Sequence, residues 1–178
     1  MGAYTHTSSA YPQIRICSIR MMKPETCEGL LNKLVEIPGI RRILLHGQNI
    51  PKVIPYGPAR GMENKTTMKR DITVGDTTCN IRMLVGDVIL ELDDECTIGL
   101  INRICNDFFV KFGFIMQKGI FIKPSMTMVD YAKYGPNADP SLIGMVDPRS
   151  KERPVMVVSH EEQDIKTTYR CENNMLEG

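Results

Sequence analysis

Gly39-Ile40-Arg41-Arg42-Ile43-Leu44-Leu45-His46-Gly47 is a run of β-branched and leucine side chains of strand length. Pro38-Gly39 leads into it and Gly47 leads out. A strand from Ile40 to His46 decides the fold through what flanks it. Upstream, Pro24 opens a helix, where its missing N–H costs nothing. Glu25 and Glu28 sit near the start of that helix, where the dipole favours acids. Cys27, Leu30, Leu31, Leu34 and Val35 recur at helical spacing and make one apolar stripe. Before the helix, Gln13 to Ile19 reads as a strand, with Ile14 and Ile16 on one face and Cys17 and Ile19 on the other.

Downstream of Gly47 the chain changes character. Gln48 to Gly61 holds Pro51, Pro55 and Pro58, which withhold backbone donors, and Gly57 and Gly61, which open positive φ. Three strand-like runs follow. Gly75-Asp76 separates Ile72-Thr73-Val74 from Cys79 to Met83, and Gly86-Asp87 separates that run from Val88 to Leu92. Two-residue turns of this make signal hairpins. Asp93 or Asp94 can cap a second helix with the stripe Ile98, Ile101, Ile104, Cys105 and Phe108. Gly113 ends it, and a last strand pair spans Phe114 to Met116 and Gly119 to Lys123.

The order predicts an α+β fold. Right-handed crossovers put both helices on one face of an antiparallel sheet, giving a ferredoxin-like (split β-α-β) sandwich with an extra hairpin strand. Residues 1–12 read as a flexible arm and 13–123 as the domain. Residues 124–158 read as an extension packed on it, in which Thr127 and Asp130 form a capping-box start for a short helix through Tyr134. Residues 159–178 are polar with few apolar anchors and read as a mobile tail.

Composition narrows the function. The 178 residues are 42% hydrophobic and 24% charged, with a formal net charge of +1. That balance argues against a general nucleic-acid or membrane-surface protein. Aromatics are only 6%, and the strands show no stacking pair for RNA. No apolar run has transmembrane length, and the N-terminus lacks the layout of a signal peptide, so the expected compartment is the cytoplasm. Cys17, Cys27, Cys79, Cys96, Cys105 and Cys171 form no C-x-x-C pair, and His6, His46 and His160 lie far apart. This spacing predicts no metal site and cysteine used as a small apolar side chain. No catalytic motif is present, and Pro58 spoils Gly57-Pro58-Ala59-Arg60-Gly61 as a phosphate cradle.

One feature points outward. Arg41, Arg42, Lys52, Arg60, Lys65, Lys69 and Arg70 are set against a single acid, Glu63, in the same stretch. This charge coincides with a stiff loop whose one large amphipathic side chain is Tyr56. Loops held by a rigid scaffold are common display surfaces. Arg41, Arg42, Pro55, Tyr56, Gly57, Pro58, Arg60 and Gly61 are therefore the candidate partner-binding residues. His46 at the strand end is counted with them; with no carboxylate or cysteine beside it in sequence, it reads as a structural histidine rather than a general base or ligand.

The same residues carry a family resemblance. Ile40-Arg41-Arg42 leading to His46-Gly47, then Pro55-Tyr56-Gly57-Pro58-Ala59-Arg60-Gly61, resembles methyl-coenzyme M reductase operon protein D. The likeness extends to Pro12-Gln13-Ile14-Arg15-Ile16, Pro24-Glu25-Thr26, Phe112-Gly113-Phe114, Thr127 with Asp130-Tyr131, Tyr134-Gly135 and Asp147-Pro148-Arg149. It covers residues 12 to 150 and leaves the tail from Ser159 without a counterpart. It implies a non-catalytic accessory protein of a methanogenic archaeon. Such a protein binds immature, cofactor-free methyl-coenzyme M reductase, through a subunit unknown, and assists its maturation or the insertion of its nickel tetrapyrrole F430. No cofactor is expected to be stably bound, only a transient contact with F430. The alternative expectation is a small-molecule-binding regulatory domain of the same fold.

Overall fold

The structure is a computed structural model that describes residues 11–65 and 71–145. The expected arm (in all but its last residues), the Asp147-Pro148-Arg149 turn and the expected tail lie outside the described residues.

Among the described residues, six strands and three α-helices follow one another in an α+β arrangement. They are β1 (Gln13–Met22), α1 (Pro24–Val35), β2 (Ile40–Asn49), β3 (Asp71–Val74), β4 (Thr77–Asn80), β5 (Met83–Leu92), α2 (Thr97–Phe108), β6 (Phe114–Lys118) and α3 (Met128–Tyr134). The main sheet has the order β2-β5-β1-β6 and is antiparallel throughout. α1 and α2 lie together on one face. Cys27, Leu30, Leu31 and Leu34 from α1 and Ile101 and Cys105 from α2 pack with Ile14, Ile16, Val88 and Leu90 from the sheet. Truncating one of these, Leu30 for example, costs about 2–5 kcal/mol through lost burial and a residual cavity. The remaining stripe residues Val35, Ile98, Ile104 and Phe108 line the rim of this core.

β3 and β4 form a separate hairpin about Gly75-Asp76, as the sequence suggests. It is fastened to α1. Asn32 Nδ2 donates to the Thr73 carbonyl at 2.8 Å, the Gly75 N–H donates to Asn32 Oδ1 at 2.9 Å, and the Thr73 N–H donates to Glu28 Oε1 at 2.7 Å. Ile72 and Val74 are thereby buried in the same core.

Three details differ from the sequence reading. Gly86-Asp87 is not a turn: β5 runs unbroken through it. His46 pairs with Asp87 but Gly47 pairs with Val85, so Gly86 is the extra residue of a β-bulge. The bulge brings two backbones close, since a Cβ on Gly47 would lie 1.9 Å from the Leu84 carbonyl oxygen. The second difference is at α2, which starts from Cys96 without a side-chain cap. Asp94 instead accepts from the Cys96 N–H at 3.3 Å. The third is that residues 119–123 are not a strand. The Gln13 side chain takes the place of a neighbouring strand, its Oε1 accepting from the Phe121 and Ile122 N–H groups at 2.7 Å each and its Nε2 donating to the Ile122 carbonyl at 2.9 Å.

That clamp starts a second, smaller layer. The segment from Phe121 to Met145 lies on the sheet face away from α1 and α2, where Ile122 and Met145 pack with Leu44 and Ile89. Inside it the capping box forms: the Asp130 N–H donates to Thr127 Oγ1, while Asp130 Oδ2 accepts from the Thr127 N–H and Oγ1–H and from the Gly144 N–H.

Candidate functional site

Residues 51–64 make a hairpin that supports itself. Val53 and Glu63 form an isolated antiparallel bridge. The Ile54 N–H donates to the Met62 carbonyl and the Gly61 N–H to the Ile54 carbonyl, both at 3.0 Å. The tip closes through Arg60 N–H to the Gly57 carbonyl and Met62 N–H to the Ala59 carbonyl, also at 3.0 Å. At the base the Asn64 N–H donates to the Lys52 carbonyl at 2.8 Å, and Asn64 Nδ2 donates to the Pro51 carbonyl at 3.1 Å. The tip needs left-handed backbone, and Gly57 (φ 80°) and Gly61 (φ 87°) supply it. The loop shape is thus set by its own hydrogen bonds and its prolines.

What the hairpin displays is apolar and cationic. Tyr56 is 79% exposed and does not fold back on the sheet; Met62 and Val53 are exposed beside it. Pro55, Gly57, Pro58, Arg60 and Gly61 are exposed, as are Lys52 and Lys65 at the base, against the single acid Glu63.

The structure does not bring Arg41 and Arg42 to this tip. β2 extends to Asn49, so roughly 25 Å of strand separates Arg41 from the point where the hairpin departs. Both arginines are also engaged within the molecule. Arg42 makes a fork-to-fork pair with Glu91 (Nε–Oε1 2.9 Å, Nη2–Oε2 2.6 Å) and donates from Nη1 to the Ile143 carbonyl at 2.7 Å. Its side chain is only 11% exposed. Arg41 reaches Asp93 at 3.2 Å and Glu91 at 3.5 Å, and its guanidinium lies 3.7 Å from the centre of the Tyr11 ring. Burial pulls the Arg41 pKa down, but Asp93, Tyr11 and Glu91 together hold it above its ordinary value. The basic stretch therefore divides: two arginines stabilise the sheet, Lys52, Arg60 and Lys65 belong to the hairpin, and Lys69 and Arg70 lie outside the described residues.

His46 does have neighbours, which sequence distance concealed. Register sets His46 and Cys17 on either side of Asp87, in one row across β2, β5 and β1. Asp87 also pairs with Arg15 at 2.6 Å. Burial, followed by the hydrogen bond and charge of Asp87, pushes the Cys17 thiol pKa up. Cys27 and Cys105 are free thiols pushed up to about 12, both chiefly by burial. Cys96 departs from the apolar pattern, being exposed at the N-cap of α2 and disulfide-bonded. Among the described residues no group of three or more His, Cys, Asp or Glu side chains could hold a metal ion. Nor is any described helix long and apolar enough to cross a membrane.

The family model for methyl-coenzyme M reductase operon protein D matches residues 13–154. The chain belongs to that family. Methyl-coenzyme M reductase I operon protein D of Methanocaldococcus jannaschii is 36% identical over 160 residues, covering 85% of this chain and 97% of that one. The reductase II operon protein D of Methanothermobacter thermautotrophicus is 36% identical over 157 residues, with the same shares. The operon protein D of Methanosarcina barkeri is 32% identical over 139 residues, 78% of this chain and 81% of that one. The operon protein D match takes in the whole hairpin, both sheet layers and the capping box.

Proposed function

We propose that this chain is a non-catalytic accessory protein that binds immature, cofactor-free methyl-coenzyme M reductase and assists its maturation or the insertion of F430. The observation that carries this reading is Tyr56, 79% exposed at the tip of a hairpin that is already folded. An exposed ring on a preorganised, cationic loop has little use in a monomer. In an interface it contributes area at low ordering cost. Membership of the operon protein D family supports the reductase as that partner. F430 belongs to the reductase, so here it is cargo met in passing. The sheet order β2-β5-β1-β6, with both helices on one face, supports a ferredoxin-like scaffold in which the β3–β4 hairpin is the insertion. Such a scaffold can hold a loop rigid without an active site of its own, and the proposed setting is the archaeal cytoplasm.

Selective binding is the proposed mechanism. A protein that binds the incomplete enzyme more tightly than the complete one shifts that population and leaves when the cofactor is seated. The test is affinity for purified reductase before and after cofactor loading. Tight binding to the cofactor-free form alone supports the proposal; equal affinity for both removes it. Thermal stabilisation by free F430 or a metabolite, in the absence of reductase, would favour a small-molecule-binding regulatory domain instead.

A further inference from the structure

The two edges of the main sheet differ. β2 carries two register shifts against β5 and runs on toward the 51–64 hairpin. β6, at the other edge, pairs with β1 without a shift. The Ile19 N–H donates to the Gly113 carbonyl at 3.4 Å and the Gly119 N–H to the Gln13 carbonyl at 3.2 Å. An antiparallel ladder turns every second residue toward the same neighbour, so Ile115 and Gln117 also face β1. Phe114, Met116 and Lys118 therefore turn their N–H and C=O groups outward. Among the described residues, none of these six groups has a hydrogen-bond partner. β6 also lacks the usual guards of an open edge. It has no proline and no bulge, and its one charge, Lys118, is paired with Glu95 at 3.1 Å. Such an edge is a template for another strand.

We propose that this chain dimerises through β6, the two strands running antiparallel about a two-fold axis at Met116. That register uses all six outward groups: Phe114 of one copy with Lys118 of the other, Met116 with Met116, and Lys118 with Phe114. It sets Ile115 opposite Gln117 and Lys118 opposite Phe114, so no charge meets a like charge. Both copies offer the same surface, as a two-fold interface requires. Ile115 is 55% exposed, and Val110 and Ile120, beyond the two ends of β6, are 79% and 73% exposed. Antiparallel pairing brings the Ile120 end of each strand beside the Val110 end of the other and shields both ends together. This self-complementarity argues for a second copy rather than a foreign strand. The dimer doubles the four-stranded sheet and leaves the β2 edge of each copy, with its Tyr56 hairpin, at the far ends.

Sedimentation and hydrogen exchange on the full-length chain test the proposal. Over a roughly hundredfold rise in concentration the weight-average mass should approach that of two chains. In the dimer, amides 114, 116 and 118 should exchange at least about fivefold more slowly than in the monomer obtained on dilution, while 115 and 117, already bonded to β1, stay constant. A monomer at every concentration overturns the proposal, and protection of 114, 116 and 118 in that monomer would mean that the chain covers its own edge. A dimer in which those three amides exchange freely overturns the location. Protection that appears only with reductase overturns the second copy in favour of that partner. Two double variants read the register. Ile115→Lys/Gln117→Lys sets like charges opposite each other across the axis and should weaken association at least about tenfold, whereas Ile115→Glu/Gln117→Lys sets opposite charges there and should keep it. Equal association of the two, each with the natural melting temperature, overturns the register. If either variant melts early, the alternating exchange pattern of the natural chain decides alone.

Discussion

Arg42 and Glu91 face each other across β2 and β5 and meet through two nearly parallel contacts of 2.9 and 2.6 Å. Glu91 is buried, and the Arg42 fork reaches beyond it to the Ile143 carbonyl. The pair thus joins the sheet to the layer that returns over it. Removing one partner strands the other charge, so Arg42→Ala and Glu91→Gln should each cost about 3 kcal/mol. Chemical denaturation measures the loss. The Arg42→Met/Glu91→Leu double variant should recover most of it, because no unpaired charge remains. Were Arg42→Ala to leave stability unchanged while weakening binding to reductase, Arg42 would be a contact residue after all.

Tyr56→Ala separates display from scaffold. The ring touches solvent, so the melting temperature should hold while affinity for cofactor-free reductase falls by roughly 2 kcal/mol, the scale of an interface hot spot. Isothermal titration beside a thermal melt gives both numbers. A lower melting temperature with unchanged affinity of the folded fraction would make the hairpin a connector.

Arg60→Glu should act chiefly on the association rate. Arg60 is exposed at the tip, where a reversed charge changes steering more than packing. Stopped-flow association should slow for the variant, and the gap between it and the natural chain should close as salt is added. A salt-independent gap would place Arg60 in a desolvated contact.

Asp130 gives a pH signature. Burial pulls its pKa up, but hydrogen bonds from Thr127 and Gly144, helped by Lys123, hold it below its ordinary value. The folded state therefore favours the carboxylate. That stability is present above the unfolded pKa, near 4, and is lost as pH falls through the lower folded value. Asp130→Asn should cost on the order of 1 kcal/mol at neutral pH and should flatten the acid limb of a stability–pH curve. An unchanged acid limb would show that the capping box carries no net charge stabilisation.

Cys27 and Cys105, pushed up to about 12 by burial, should resist alkylation at pH 8 in the folded chain and react once denaturant is added. Peptide mass mapping reads the two sites separately. Rapid labelling of Cys27 without denaturant would mean that the β3–β4 hairpin opens off α1.

Local features were the legible ones. The helix α1 announced itself through Pro24 and the Cys27–Leu34 stripe, and the β3–β4 turn through Gly75-Asp76. The Thr127–Asp130 box was equally plain, because its two partners are three residues apart. Features that depend on register were hidden. Gly86 looks like a turn glycine until β5 is laid against β2, where it becomes a bulge. His46, Asp87 and Cys17 share a row only because two crossovers place β5 between β2 and β1. The candidate site divided along the same line. The tip from Pro55 to Gly61 could be read from its prolines and glycines, whereas the engagement of Arg41 and Arg42 depended on Glu91 and Asp93, about fifty residues away.

The strand order has a consequence for how the molecule is made. Among the described residues, β1 pairs only with β5 and β6, and β2 only with β5. Neither early strand has a partner in the sheet until Met83 and the residues after it have been synthesised. Nearly half the chain must therefore leave the ribosome with the edges of β1 and β2 unpaired. Pairings so distant in sequence close slowly, because loop entropy is lost before contacts compensate. A nascent chain in that condition is a natural client for general chaperones. On the proposed reading, a protein that attends an unfinished enzyme is itself exposed in an unfinished state for much of its synthesis.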